Sequence, residues 1–99
     1  MTVDEVRTDN TVQLNVHGKV DANSSTEFQN AVLKGFQKGN HVVINFADLQ
    51  DISSAGLRAL VIGQKTASSK GGKFTLINVN PVVMDILHAT GFDKILTIQ

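Results

Sequence analysis

The sequence predicts a single α/β domain built on a mixed, largely parallel sheet of four to five strands. Segments with the apolar period of a strand alternate along the chain with segments that have the period of a helix. The order is strand, strand, helix, strand, helix, strand, helix, strand, so three strand–helix–strand crossovers follow one another. A chain of 99 residues fits one domain, residues 1–99, and leaves no room for a second.

The first two elements are predicted to be paired strands. Residues 12–16 alternate apolar and polar side chains, which is typical of a strand with one buried face. A turn-like cluster, Thr8-Asp9-Asn10, separates them from a weaker strand candidate, Val3 to Arg7. The short connection predicts a hairpin.

A helix and a central strand are predicted next. Ser24 or Ser25 can cap a helix whose apolar residues recur at three- and four-residue steps, and Gly39 ends it. Residues 41–46 are rich in β-branched side chains without clean alternation, as in a strand covered on both faces. Residues 47–53 are expected to turn out of this strand.

The second half of the chain is predicted to contain two helices and two strands. Asn80-Pro81 is a strong helix start, because a capping side chain precedes a proline at the first helical position. The ranges in order are a helix over 57–67, a break at 68–72, a strand over 74–79, a helix from 80 to 91 and a strand over 95–98.

Composition excludes several classes of protein. Apolar residues make up 41% of the chain and charged residues 18%, which is typical of a globular protein. Nine basic and nine acidic residues cancel without a basic run, so nucleic acid is not an expected partner. The absence of cysteine removes disulfides and thiolate chemistry. His17, His41 and His88 show no ligand or nucleophile–base spacing, so neither catalysis nor a metal or other cofactor is expected.

The amino-terminal segment predicts a cytoplasmic protein without a membrane partner. Asp4 and Glu5 lie where a signal peptide would carry positive charge. The longest apolar run, residues 59–62, is much too short to span a bilayer.

Two polar segments are candidate functional sites. Residues 18–25 and 48–57 each join a strand to a helix, and ligands of open α/β sheets bind at the carboxyl ends of strands. In one interpretation Ser53 or Ser54 simply caps the second helix. In the other, a serine at this helix start accepts a phosphate, which the backbone amides and the helix dipole tolerate.

The second segment resembles the signature of STAS domains in bacterial anti-sigma factor antagonists. Asp48-Leu49, three residues, and then Ser53-Ser54-Ala55-Gly56-Leu57-Arg58 follow a Val/Ile-rich strand. Three further motifs extend the resemblance over nearly the whole chain: Gly18-Lys19-Val20-Asp21, Gly71-Gly72-Lys73 before Phe74-Thr75-Leu76, and Thr90-Gly91-Phe92-Asp93-Lys94-Ile95. The resemblance implies a STAS-type domain with three or more helices packed mainly on one face of the sheet.

The resemblance also implies a phosphorylated serine two residues before the glycine of the helix start, which is Ser54 here, with Ser53 as the alternative. The family commonly has an aspartate where this chain has Ser53 and a second hydroxyl where it has Ala55. It also implies an acidic partner-facing residue at Asp21. The full expected partner-binding set is Asp21, Asn23, Asp51, Ser53, Ser54, Ala55, Gly56, Leu57 and Arg58.

The function implied by the family is partner switching without catalysis. The unphosphorylated protein would bind an anti-sigma factor that is also a serine kinase of the histidine-kinase-like ATPase fold. Phosphorylation would release it, and a metal-dependent serine phosphatase would reverse the step. Asp21, Asp48 and Asp51 are expected close by, so a phosphate would meet like charge. The alternative is a STAS binding module of a transporter or sensory complex that is never phosphorylated.

Overall fold

The chain folds into six strands and three α-helices, and the computed structural model describes all 99 residues. In chain order the elements are β1 (Thr2–Thr8), β2 (Thr11–Val20), α1 (Ser25–Lys38), β3 (His41–Asn45), β4 (Leu49–Ile52), α2 (Ser54–Lys70), β5 (Lys73–Ile77), α3 (Pro81–Thr90), a 3₁₀ turn (Phe92–Lys94) and β6 (Thr97–Ile98). None of the helices combines the length and the apolar character that crossing a membrane requires.

The sheet is mixed and largely parallel, as the sequence predicts. Its main path runs β1-β2-β3-β5-β6, and only the β1–β2 pair is antiparallel. That pair is the predicted hairpin, closed between Thr8 and Thr11 by two residues, of which Asp9 has a positive φ of 54°. Each parallel pair needs a crossover, and α1, α2 and α3 supply the crossovers.

The expectation of a turn over residues 47–53 is wrong, because the segment contains the strand β4. This strand pairs in parallel with the end of β2, where the register shifts between Gly18 and Lys19. Its two apolar residues, Leu49 and Ile52, are buried but lie three positions apart, so they show no strand period. The last strand is likewise shorter than predicted, because the N–H groups of Ile95 and Leu96 both donate to the Phe92 carbonyl and so continue the 3₁₀ turn up to Thr97.

The helices cover one face of the sheet, which confirms the packing implied by the resemblance. Val12, Leu14 and Val16 of β2 point toward them and are at most 2% exposed. The ring of Phe28 in α1 packs tilted against Phe46, with centroids 6.3 Å apart. The opposite face carries a polar row joined by amide hydrogen bonds, formed by Gln13, Asn15, Asn45 and Asn78.

Candidate functional site

The site lies where β2 and β4 end side by side. Val20 and Ile52 are Cα partners in the parallel pair, and the Ser53 backbone N–H donates to the Val20 carbonyl at 2.7 Å. Their carboxyl ends therefore bring two segments together, residues 21–24 and residues 51–58. We refer to these two segments as the β2–β4 edge.

Ser53 is the N-cap residue of α2. It has an extended backbone (φ −81°, ψ 171°), and its Oγ accepts a hydrogen bond from the Gly56 backbone N–H at 3.2 Å. Its carbonyl accepts from the Leu57 N–H at 2.9 Å, the first bond of the helix. The half-buried Ser53 hydroxyl is thus committed to an amide that has no acceptor within the helix.

Ser54 differs from its neighbour because it is the first helical residue and is exposed. The first amides of a helix and its dipole place partial positive charge at this end. No acidic residue lies in the first turn of α2 to compensate that charge. The helix end therefore favours a negative group on Ser54, and adding one at this exposed position would not require the core to open.

Gly56 and Leu57 belong to the core beneath the edge and do not form its surface. A Cβ on Gly56 would lie 2.6 Å from Cγ1 of Ile52 and 2.8 Å from Cγ1 of Val20, so only glycine lets α2 approach the strand ends this closely. The Leu57 side chain is 5% exposed. Neither therefore exposes a side chain, and both lie in the first turn of α2, which packs closely on the strand ends.

Asp21 is held in a tight turn at the end of β2. Its Oδ1 accepts hydrogen bonds from the backbone N–H groups of Asn23 at 2.9 Å and Ser24 at 3.0 Å, and from the Ser24 hydroxyl at 3.1 Å. The bonds from Ser24 and Asn23 lower the pKa of the Asp21 carboxyl below its usual value. The turn therefore presents an exposed, ionised carboxylate beside α2.

This turn also changes the predicted cap of α1. Ser24 occupies the N-cap position, but its side chain makes no capping bond to the helix. Its hydroxyl instead accepts from the Asp21 backbone N–H at 3.0 Å and lies near the Asp21 carboxylate. Ser24 thus occupies the predicted cap position of α1, but a capping bond from its hydroxyl is absent because the hydroxyl is engaged in the Asp21 turn.

The remaining expected site residues divide between the surface and the packing layer. Asn23, Asp51 and Arg58 are exposed, and Ala55 is half-buried. Asp51 lies on β4 opposite Lys19 of β2. The β2–β4 edge thus carries both signs of charge around Ser54.

Asp48 does not join Asp21 and Asp51, contrary to the expectation that all three lie together. It precedes β4 and lies beside Gly18, whose N–H donates to the Asp48 carbonyl at 3.1 Å. Its Oδ2 is 2.9 Å from Nδ1 of His17. Two carboxylates of the expected acidic cluster remain at the edge, and the third is turned to a histidine.

His17 forms a cluster that the sequence did not reveal. Its Nε2 lies 2.9 Å from Oδ2 of Asp4, and its Nδ1 faces Asp48. Hydrogen bonds to Asp4 and then Asp48 raise the pKa of His17 above its ordinary value. The sequence indicated only that His17 lies on the polar side of β2. Which acidic residues contact it is set by the register of β1 and by the path of residues 46–48, and neither could be read from the sequence.

No depression of the surface opens at the β2–β4 edge. The molecule has three shallow depressions, and residues 21–24 and 51–58 line none of them. The exposed Ser54 hydroxyl and the charged side chains around it therefore lie on open surface.

The chain belongs to the STAS domain family, whose model matches residues 2–99. It is 34% identical to an anti-sigma F factor antagonist of Paenibacillus polymyxa over 58 residues, which span 59% of this chain and 50% of that protein. It is 24% identical over 99 residues to an anti-sigma-B factor antagonist of Bacillus subtilis, covering all of this chain and 91% of that protein.

Solved structures show the same fold. A protein assigned as an anti-sigma factor antagonist of Thermotoga maritima superposes with a TM-score of 0.88 at 28% identity, covering 97% of this chain and 84% of that one. The phosphorylated form of the Bacillus cell fate determinant SpoIIAA superposes with a TM-score of 0.76 at 17% identity, covering 99% and 91%. At that identity the second likeness shows the fold alone.

Proposed function

We propose that this protein is an anti-sigma factor antagonist whose binding is switched by phosphorylation of Ser54. The names of its relatives support the class of partner. The observation that carries the site is the contrast between the two serines. The Ser53 hydroxyl caps α2, whereas Ser54 is exposed at the first helical position.

The docking surface in this proposal consists of the exposed groups of the β2–β4 edge. Asp21, Asn23, Asp51 and Arg58 would contact the partner around Ser54 and Ala55. Gly56 and Leu57 would contribute indirectly, by holding the first turn of α2 against Val20 and Ile52. Ser53 would keep its capping bond in both states of the switch.

Phosphorylation would change the charge of this surface without unfolding the domain. A phosphoserine carries about −1.5 to −2 charges at neutral pH. Beside Asp21 and Asp51, in an interface formed around a neutral hydroxyl, a like-charge penalty of about 3 to 4 kcal/mol weakens binding by roughly 100- to 1,000-fold. The SpoIIAA likeness supports the compatibility of this fold with a phosphorylated state.

The proposed cycle requires a kinase and a phosphatase, and it takes place in the cytoplasm. The anti-sigma factor would itself be a serine kinase of the histidine-kinase-like ATPase fold that transfers the γ-phosphoryl group of ATP to the Ser54 oxygen. A metal-dependent serine phosphatase would hydrolyse the phosphate. Both steps would occur in the cytoplasm, and the protein itself would act by binding.

The test is an affinity measurement with the anti-sigma factor kinase of the same organism. S54D adds charge at the exposed position and is expected to lower affinity at least about tenfold. The matched control S69D adds the same charge at the exposed far end of α2, roughly 22 Å away along the helix axis, and is expected to change affinity less than about twofold. Equal affinities of S54D and wild type would contradict the switch.

S54A separates a switch from a constitutive binding module of a transporter or sensory complex. In the proposed switch, S54A binds the kinase and is not released when ATP is added, whereas the wild-type protein is. If ATP releases neither wild type nor S54A, the chain is a passive module; release of both would mean that a residue other than Ser54 carries the phosphate.

A further inference from the structure

Arg58 lies four residues after Ser54 on α2, one turn along the same side of the helix. Both side chains are exposed. The four ion pairs of the protein involve other residues, namely His17 with Asp4 and Asp48, Lys38 with Glu5, and His88 with Asp93. The guanidinium of Arg58 therefore has no carboxylate partner in the unmodified chain.

We propose that Arg58 is the intramolecular counter-ion of a phosphate on Ser54. The inference rests on the proposed assignment of Ser54 as the phosphorylated residue. On a helix, an anion four residues before a cation is the favourable order of an ion pair. Guanidinium presents parallel N–H donors that match two phosphate oxygens, and such charge-assisted bonds are stronger than neutral ones.

Other groups at the edge compete little for this pairing. The first turn of α2 contains no acidic residue that could hold Arg58 before phosphorylation. The Asp21 carboxylate already accepts three hydrogen bonds within its own turn. Asp51 lies on β4, opposite Lys19, with one carboxylate oxygen bonded to the Ile52 N–H at 2.9 Å.

The pairing gives phosphorylation two effects on the docking surface. It adds a dianion at Ser54, and it engages the guanidinium that the unmodified protein leaves free for a partner. An aspartate at position 54 has a shorter side chain and less charge than a phosphoserine. S54D is therefore expected to reproduce only part of the loss of affinity that the phosphate causes.

The experiment is a ³¹P NMR pH titration of protein with phosphoserine incorporated genetically at position 54, so that no kinase is needed. A nearby cation favours the dianion, so the phosphate pKa in R58Q is expected to lie about 0.3 above that of the wild type. R58K keeps a positive charge without the planar fork and is expected to fall between the two.

The matched control is K65Q, which removes a positive charge from the same helix roughly 16 Å from Ser54, beyond a Debye length at about 0.1 M salt. Its phosphate is expected to titrate like that of the wild type. Equal phosphate pKa values in wild type and R58Q, or equal increases in R58Q and K65Q, would overturn the role of Arg58. Because the phosphate is installed directly, this failure is distinct from the failure of a kinase to modify Ser54.

Discussion

The start of α2 and the start of α3 have the same type of capping hydrogen bond but expose different side chains. In α2 the Ser53 hydroxyl accepts from the Gly56 N–H at 3.2 Å, and in α3 the side-chain Oδ1 of Asn80 accepts from the Val83 N–H at 3.0 Å. The next residue is Ser54 in the first case and Pro81 in the second. One helix start thus presents an exposed hydroxyl, and the other presents a proline ring.

The side chains of the two cap residues also differ in their bonds to the rest of the domain. The side-chain Nδ2 of Asn80 donates to the backbone carbonyl of Leu49 at 2.6 Å and to that of Phe46 at 3.3 Å. These bonds hold the start of α3 against the β3–β4 connection and the first residue of β4. The Ser53 side chain bonds only within its own helix turn. The difference teaches that a capped helix end can be a structural anchor or an accessible surface, depending on the bonds of the cap residue and on the side chain next to it.

The largest expected effect on stability comes from N80A. The substitution removes the cap of α3 and leaves the Leu49 carbonyl without its side-chain donor, so we expect a loss of about 3 kcal/mol in the free energy of unfolding. Urea denaturation followed by circular dichroism measures it. N80S keeps a capping oxygen but not the amide donor and is expected to fall between N80A and wild type. If N80A loses no more unfolding free energy than S53A, the bonds from the Asn80 side-chain amide to Leu49 and Phe46 contribute nothing beyond the cap.

G56A tests the close approach that positions Ser54. The added methyl group would overlap Ile52 and Val20, and overpacking of this kind costs about 2 kcal/mol. The same denaturation experiment checks it. If G56A is as stable as the wild type, α2 can shift outward freely and the edge is not held by packing.

The two serines of α2 are expected to differ in stability when each is replaced by alanine. S53A loses the N-cap bond and should cost about 1 kcal/mol. S54A removes an exposed hydroxyl and should stay within about 0.5 kcal/mol of the wild type. Thermal or urea unfolding of the pair measures the difference. A larger cost for S54A than for S53A would reverse the assignment of cap and free hydroxyl.

The smallest expected effect is the pH dependence contributed by His17, outside both helix starts. Its folded-state pKa is raised by Asp4 and Asp48, so the folded protein binds the proton more tightly than the unfolded chain. The resulting stabilisation is complete below the unfolded pKa of about 6.5 and is lost as pH rises through the higher folded value. The melting temperature of wild type relative to H17Q should therefore be higher at pH 5.5 than at pH 8.5. A constant or growing advantage at high pH would contradict the cluster.

The sequence predicted most of the fold because most elements carry their own local signal. The alternation of residues 12–16 and the Asn80-Pro81 helix start both describe structure that the chain adopts. The β4 strand carried no such signal, since its two buried residues, Leu49 and Ile52, lie three positions apart and its pairing partner is the distant end of β2. Ser24 is the N-cap residue of α1, but its hydroxyl bonds to Asp21 in the preceding turn and does not bond to the helix.

For the site, the sequence placed Ser53 and Ser54 at a helix start but left open which one serves as the cap. That distinction depends on the backbone path out of β4, which extends Ser53 and makes Ser54 the first helical residue. The position of Asp48 was predicted wrongly for a related reason. Closeness along the chain placed it with Asp51, whereas the strand pairing turns it to His17.

The most direct test of the account is the location of the phosphate after incubation with the anti-sigma factor kinase and ATP. Fragment mass spectra of the wild-type protein and of S54A would locate it. We expect one phosphate on Ser54 of the wild type and none on S54A, because the Ser53 hydroxyl remains in the cap. Phosphate on Ser53, or a fully phosphorylated S54A, would contradict the assignment of Ser54 as the free hydroxyl at which the protein is switched.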